Sequence, residues 1–164
     1  MAQTNEPLLS VKGLKQYFPV SKKFTVRAVD NISFDIYPGE TYGLVGESGS
    51  GKSTTGRSII RLYDPTEGTI LFNGEDISKK LTAKQEKMLR SDMQMVFQDP
   101  MASLNPHKKI LDTIAMGLDA HHPHMDQKER VERVSKMMEM VGLNPAYMNR
   151  YPNQFSGGQR QRIG

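Results

Sequence analysis

The stretch Gly46-Glu47-Ser48-Gly49-Ser50-Gly51-Lys52-Ser53-Thr54 fits the pattern G-x-x-x-x-G-K-[ST] at every fixed position, and it constrains this chain more than any other feature. Such a loop is entered by a strand and left by a helix. Its glycines let the backbone wrap closely around a phosphate with successive N–H groups aimed inward, and the following helix adds the positive end of its dipole. Lys52 would reach the β- and γ-phosphates of a nucleoside triphosphate as a point charge, while the Ser53 hydroxyl would complete the shell of a Mg2+ ion that keeps several waters. With glycine at about 7% of residues, four fixed positions match by chance in roughly one chain of this length in a few hundred. The flanks lower those odds. Thr41 to Val45 reads as a short buried strand entering the loop, and Ser53 to Leu62 as a helix leaving it, with Ile59, Ile60 and Leu62 available for packing. A flexible Gly/Ser linker would not be bracketed in this way.

With 164 residues and 37% hydrophobic content, the chain is ample for one globular domain and too short for two large ones. The lack of cysteine excludes disulfides and thiolate metal sites and fits a reducing compartment. No run of about 18 apolar residues occurs, nor a basic-then-apolar leader, so any membrane role is expected to come through a partner. The net charge of +4 is spread along the chain and gives little support to nucleic-acid binding.

The first forty residues read as antiparallel strands. Leu8 to Leu14 is one; after a turn at Pro19 to Lys23, Val26 to Ile36 places Ile32, Phe34 and Ile36 on one face by strict alternation. Asp64 to Gly68 is a turn, Thr69 to Phe72 a strand and Asn73-Gly74 a tight turn. Thr82 with Gln85 three residues on predicts a capping box opening a helix to about Arg90. Met93 to Phe97 reads as a buried strand. Beyond Asp99 the texture is helical, with segments near Ile110 to Leu118 and from an Asp126/Glu129 capping pair through Val131, Val134, Met138 and Val141 to a stop at Gly142.

A second diagnostic segment, Phe155-Ser156-Gly157-Gly158-Gln159-Arg160-Gln161-Arg162, has Ser156 as an N-cap candidate and glycines that permit close backbone approach. Ser-Gly-Gly alone is common in loops; downstream of a phosphate loop it is far more specific. Together these segments resemble the nucleotide-binding subunit of an ATP-binding cassette (ABC) transporter. Ser156-Gly157-Gly158-Gln159 matches that family's signature, with Phe155 where Leu is usual, and Val96-Phe97-Gln98-Asp99-Pro100 resembles its Q-loop. By that resemblance Gln98 would help hold Mg2+ and sense the γ-phosphate, and Tyr17 would stack on adenine, with Phe18 and Phe24 close enough in sequence to compete for that role. Gln98 to Pro106 and Thr54-Thr55-Gly56-Arg57 resemble bacterial oligopeptide and dipeptide importers, and the second of their two paired ATPases more than the first.

The resemblance implies an α/β P-loop ABC ATPase domain, incomplete at its C-terminus: an antiparallel β subdomain with the P-loop core over residues 1–97, and a helical subdomain over 98–158. It implies ATP and Mg2+ as ligands and residues 46–54, Tyr17 and Ser156 to Gln159 as the nucleotide site, with Lys52 and Gln98 nearest the chemistry. The implied partners are a second ABC ATPase subunit, transmembrane permease subunits and, indirectly, an extracytoplasmic peptide-binding protein, at the cytoplasmic face of the membrane. Nucleic acid is not among them. The family's Asp-Glu strand and switch histidine are missing, and all four histidines precede the signature. Binding without efficient hydrolysis is therefore expected of these residues alone, with an exposed sheet edge and poor solubility. A nucleotide-binding module without turnover, and a soluble ABC protein outside transport, remain as rivals. The His121-His122-Pro123-His124 cluster reads as a polar loop, Met137, Met138 and Met140 as core and interface residues, and Lys79-Lys80, Lys108-Lys109, Arg160 and Arg162 as solvated charges.

Overall fold

The computed structural model describes residues 6–97 and 103–164. The chain divides into two compact units, Met1–Met95 and Val96–Gly164.

In the first unit, β1 (Leu9–Ser21), β2 (Phe24–Ile36), β3 (Glu67–Phe72) and β4 (Glu75–Asp76) form an antiparallel sheet in the order β2-β1-β3-β4. The turn expected at Pro19 to Lys23 is tighter than its sequence suggests, since Pro19 pairs with Thr25 and Ser21 with Phe24. The pairing of β1 with β3 runs only from Leu9 to Lys15, so Pro19 lies where β1 has one neighbour and its missing N–H costs no second ladder bond. Asn73 and Gly74 both take positive φ, 50° and 79°, as a two-residue hairpin turn requires. One face of the sheet buries Leu9, Val11, Leu14, Val29, Ile70 and Phe72 with Ile77 and Leu89, and Ile32, Phe34 and Ile36 pack against this core as the alternation predicts.

Two helices complete the unit. Helix α1 (Lys52–Ile59) is shorter than expected. The chain leaves it through Arg61, which takes φ 61° although it is not glycine. The buried Arg61 side chain holds that turn by donating to the carbonyls of Ile77 and Lys79 and to Asp64. Helix α2 (Ala83–Asp92) opens on the expected box, with the Thr82 hydroxyl accepting from Gln85 N–H and the Gln85 side chain accepting from Thr82 N–H.

Two expected strands are absent among the described residues. Thr41 to Val45 carries no strand and leaves Val45 91% exposed, and Met93 to Phe97 carries none and leaves Val96 90% exposed. Short apolar runs of this kind suit parallel strands, which are held by ladder bonds on both sides and hidden on both faces. Neither run has a ladder partner here. The rings of Tyr42 and Phe34 nonetheless stack at 5.0 Å, and Met95 runs close alongside Gly56 of α1.

The second unit is helical: α3 (Ile110–His121), α4 (Gln127–Met140), short 3-10 turns at Pro145–Tyr147 and Pro152–Gln154, and α5 (Gly157–Ile163). Asp126 caps α4 by accepting from the N–H groups of Lys128 and Glu129, and Gly142 ends the run at φ 68°. Its core gathers Ile110, Leu111, Ala115, Val134, Met138, Leu143 and Phe155. Met138 is thus core, while Met137 and Met140 are exposed, and so are His121, His122 and His124. Arg130 spans α4 to α3 by ion pairs to Asp119 at 2.9 Å and Asp112 at 3.3 Å. The hydrogen bond from Arg130 holds the Asp119 carboxyl below the usual carboxylate range.

Because the Asp119 carboxyl titrates lower in the folded chain than in the unfolded one, its bridge contributes fully above the unfolded value of about 3.9 and is lost as pH falls through the folded value. Acid titration followed by circular dichroism should therefore lose helix over a window beginning below about pH 4, and Asp119→Asn should flatten that dependence. In the first unit, Ile70→Ala should cost ~2–5 kcal/mol in urea unfolding, against less than about 0.5 kcal/mol for the exposed Val20→Ala.

Candidate functional site

The phosphate-loop residues sit between β2 and α1, and a close backbone approach sets their position. Gly51 takes φ 90°, and a Cβ placed there would stand 2.2 Å from the Ala28 carbonyl oxygen of β2. Only glycine permits that contact. The last turn of α1 is tied to the sheet by Ser58, whose hydroxyl donates to the buried Gln16 side chain of β1 at 3.2 Å, while at the start of the helix the Thr55 hydroxyl donates to Gly51 O at 3.0 Å.

Helices α2, α4 and α5 begin with side-chain caps from Thr82, Asp126 and Ser156. Helix α1 differs. Its N-cap is Gly51, no side chain caps its leading amides, and its first turn holds no acidic residue; α3, after Lys109, also lacks a side-chain cap, but there the Arg150 and Met148 carbonyls accept from the Ile110 and Leu111 N–H groups and Asp112 lies in the first turn. The leading N–H groups of α1 and the positive end of its dipole are therefore left to whatever acceptor approaches from the loop. The Lys52 ammonium lies across the loop mouth, donating to Gly46 O at 2.7 Å, Glu47 O at 2.6 Å and Ser50 Oγ at 3.2 Å. The loop also closes on itself through Ser50 N–H and Glu47 O at 3.2 Å. Glu47, Ser48, Gly49 and Ser53 are exposed, and Thr54 is half-buried beside them. The loop thus sets the Lys52 cation beside the uncapped backbone amides that open α1, the chemistry that suits a polyphosphate. Among the described residues no cluster of three or more His, Cys, Asp or Glu could hold a metal ion. Ser53 fits a different mode, in which a single hydroxyl joins substrate phosphates and water around Mg2+.

Tyr17 lies on β1 opposite Arg27, the residue before Ala28, so it is one strand across from the backbone that contacts Gly51. The register shifts between Gln16 and Tyr17, an irregularity of the kind that re-aims a side chain. The Tyr17 hydroxyl donates to Asp30 at 2.5 Å, and the Arg27 guanidinium stands 5.4 Å from its ring centroid. The hydrogen bond to Asp30, with burial, raises the Tyr17 pKa. Of the competing aromatics, Phe18 packs edge-on against Tyr63 at 5.3 Å and Phe24 is exposed beside the hairpin turn.

In the second unit Ser156 and Gln159 form a reciprocal capping box. Gln159 Oε1 accepts from Ser156 N–H at 2.9 Å, and Ser156 Oγ accepts from Gln159 N–H at 3.3 Å. Gly157 and Gly158 are exposed with open space where side chains would be. Phe155, the departure from the family's usual leucine, is buried and packs edge-on against Tyr147 at 6.4 Å. Arg162 is not simply solvated: its guanidinium donates to the carbonyls of Val141 and Gly142 at 2.9 and 3.2 Å, just past the C-terminus of α4. Gln98 lies outside the described residues. The sequence reading missed Asp30, Arg27, Arg61 and Arg130, which carry no motif.

The chain is 58% identical over 159 residues to the oligopeptide transport ATP-binding protein OppF of Bacillus subtilis (strain 168), covering 97% of the chain and 52% of that protein. It is 49% identical to the dipeptide transport ATP-binding protein DppF of Lactococcus lactis subsp. cremoris (strain MG1363), covering 96% and 51%. The chain thus spans about half the length of the curated relatives it matches. Among solved structures it resembles the ATP-binding cassette MJ0796, in a dimeric post-hydrolysis state bound to ADP and Pi, with a TM-score of 0.79, 29% identity and coverage of 94% of this chain and 66% of that one. The fold is that of an α/β P-loop ABC ATPase. No helix among the described residues is long and apolar enough to cross a membrane. The family model described as ABC transporter matches residues 29–164, and the chain belongs to that family.

Proposed function

We propose that this chain is the nucleotide-binding portion of an ATPase subunit that couples ATP binding and hydrolysis to the import of oligopeptides or dipeptides. The observation that carries the reading is the uncapped start of α1, with Lys52 folded over a loop whose glycine backbone lies against β2. In this reading ATP approaches with its triphosphate along the loop, and Lys52 exchanges its bonds to Gly46, Glu47 and Ser50 for the β- and γ-phosphates. The amides of residues 46–54 hold the remaining oxygens. Ser53, with Gln98, holds Mg2+, which neutralises phosphate charge. Tyr17 supplies the π face for adenine, supported by its place one strand from Gly51 and by the engagement of Phe18 elsewhere.

Residues 1–97 act as the β subdomain and nucleotide core in this proposal, and 98–158 as the helical subdomain. Ser156 to Gln159 faces the γ-phosphate held by a second ATPase subunit, equal or different, so that two nucleotides lie between two such subunits. Closure on ATP and reopening after hydrolysis would move transmembrane permease subunits at the cytoplasmic face of the membrane, with peptide delivered by an extracytoplasmic binding protein. Support for peptide import comes from the names carried by the relatives.

Calorimetric titration of the full-length protein with MgATP tests the nucleotide site. Lys52→Ala should weaken binding at least about tenfold, since a charge-assisted contact to phosphate is removed. Gly51→Ala should abolish it, because the added carbon meets the Ala28 carbonyl rather than a flexible side chain. Undiminished ATP binding in Lys52→Ala overturns the reading.

A further inference from the structure

The geometry points to Asp30 as the positioning residue for the base-stacking ring, an inference that rests on the nucleotide site proposed above. Asp30 holds Tyr17 at its far end, accepting the phenol proton at 2.5 Å. The same carboxylate stands 3.8 Å from the Arg27 guanidinium, which itself lies over the Tyr17 ring. One acid thus orients both the ring and the cation on its face.

A tyrosine on a strand is fixed by its backbone at one end only, and rotation about its two side-chain torsions sweeps the ring face through a wide arc. Tying the hydroxyl removes that freedom. The backbone beneath the ring is also fixed, because Tyr17 N–H donates to Thr66 Oγ1 at 2.9 Å. The ring plane is therefore set before a base arrives, and pre-set geometry lowers the ordering cost of binding. The charged groups around the phenol are Lys15 on its own strand and Arg27 and Asp30 on β2; the hydrogen bond to Asp30 is the largest influence on the phenol and keeps it protonated. Protonation matters here, because a phenolate would lose the bond and would face the carboxylate as a like charge.

Calorimetry with MgATP and with magnesium tripolyphosphate separates the base from the phosphates, using the full-length protein and its Asp30→Ala, Asp30→Asn, Tyr17→Phe and doubly substituted Tyr17→Phe/Asp30→Ala forms. Asp30→Ala should weaken ATP roughly three- to tenfold and leave tripolyphosphate unchanged. Tyr17→Phe, which removes the same bond from the other end, should show the same loss, and the double variant no further loss. Asp30→Asn keeps an acceptor oxygen and should retain most of the affinity. Ultraviolet titration, read as a difference against Tyr17→Phe, should show the Tyr17 phenol titrating lower in Asp30→Ala than in the parent, because the hydrogen bond that raises it is gone. Should Asp30→Ala fail to fold, Tyr17→Phe decides alone. The inference is overturned if both Asp30→Ala and Tyr17→Phe bind ATP as the parent does while Tyr17→Ala weakens it. If Tyr17→Ala also binds ATP unchanged, the base platform itself is wrong. If Lys52→Ala keeps its tripolyphosphate, the phosphate-loop reading fails instead.

Discussion

The approach of Gly51 to the Ala28 carbonyl is the contact on which the first unit depends. A carbon at 2.2 Å from an oxygen is far inside van der Waals range, and the oxygen is a backbone atom of β2, at the irregularity where the register passes from Gln16–Val29 to Tyr17–Arg27. Neither side can yield cheaply. The start of α1 is consequently laid against an antiparallel sheet whose own core is independent of the loop, and the loop inherits a rigid floor. Tyr17 and Arg27 face each other across that same floor, so the phosphate loop and the aromatic ring are positioned by adjacent residues of β2.

Electrostatics then distinguishes α1 from its neighbours. Thr82, Asp126 and Ser156 satisfy the leading amides of their helices from within the chain. At α1 the corresponding amides have no side-chain cap, and the first helical residue, Lys52, carries a charge of the same sign as the dipole end. Lys52 is accommodated only because carbonyls of Gly46 and Glu47 turn toward it. An anion entering the loop replaces those dipoles with full charges, and its net gain is the difference between the two sets of bonds rather than the whole of either.

Much of this was legible in the residues because the devices are local. The boxes at Thr82/Gln85 and Ser156/Gln159, the Asp126 cap and the Asn73-Gly74 turn each occupy a few consecutive positions and are formed as their sequences imply. The alternation of Ile32, Phe34 and Ile36 was equally readable, since period two needs only one buried face. Thr41 to Val45 and Met93 to Phe97 were misread as strands because apolar content reports a wish for burial, whereas a strand requires a partner that no short window can contain. Arg130, Arg162 and Asp30 escaped for the complementary reason: each acts on a residue 11 to 21 positions away or across a hairpin, where sequence spacing carries no signal.

Arg162 has a consequence for how α5 is held against α4. Its guanidinium is anchored on the carbonyls that follow α4, so the signature-like segment and the long helix beside it are fastened at both the buried Phe155 and the exposed Arg162. Two attachment points some distance apart suppress swivelling that one alone would allow.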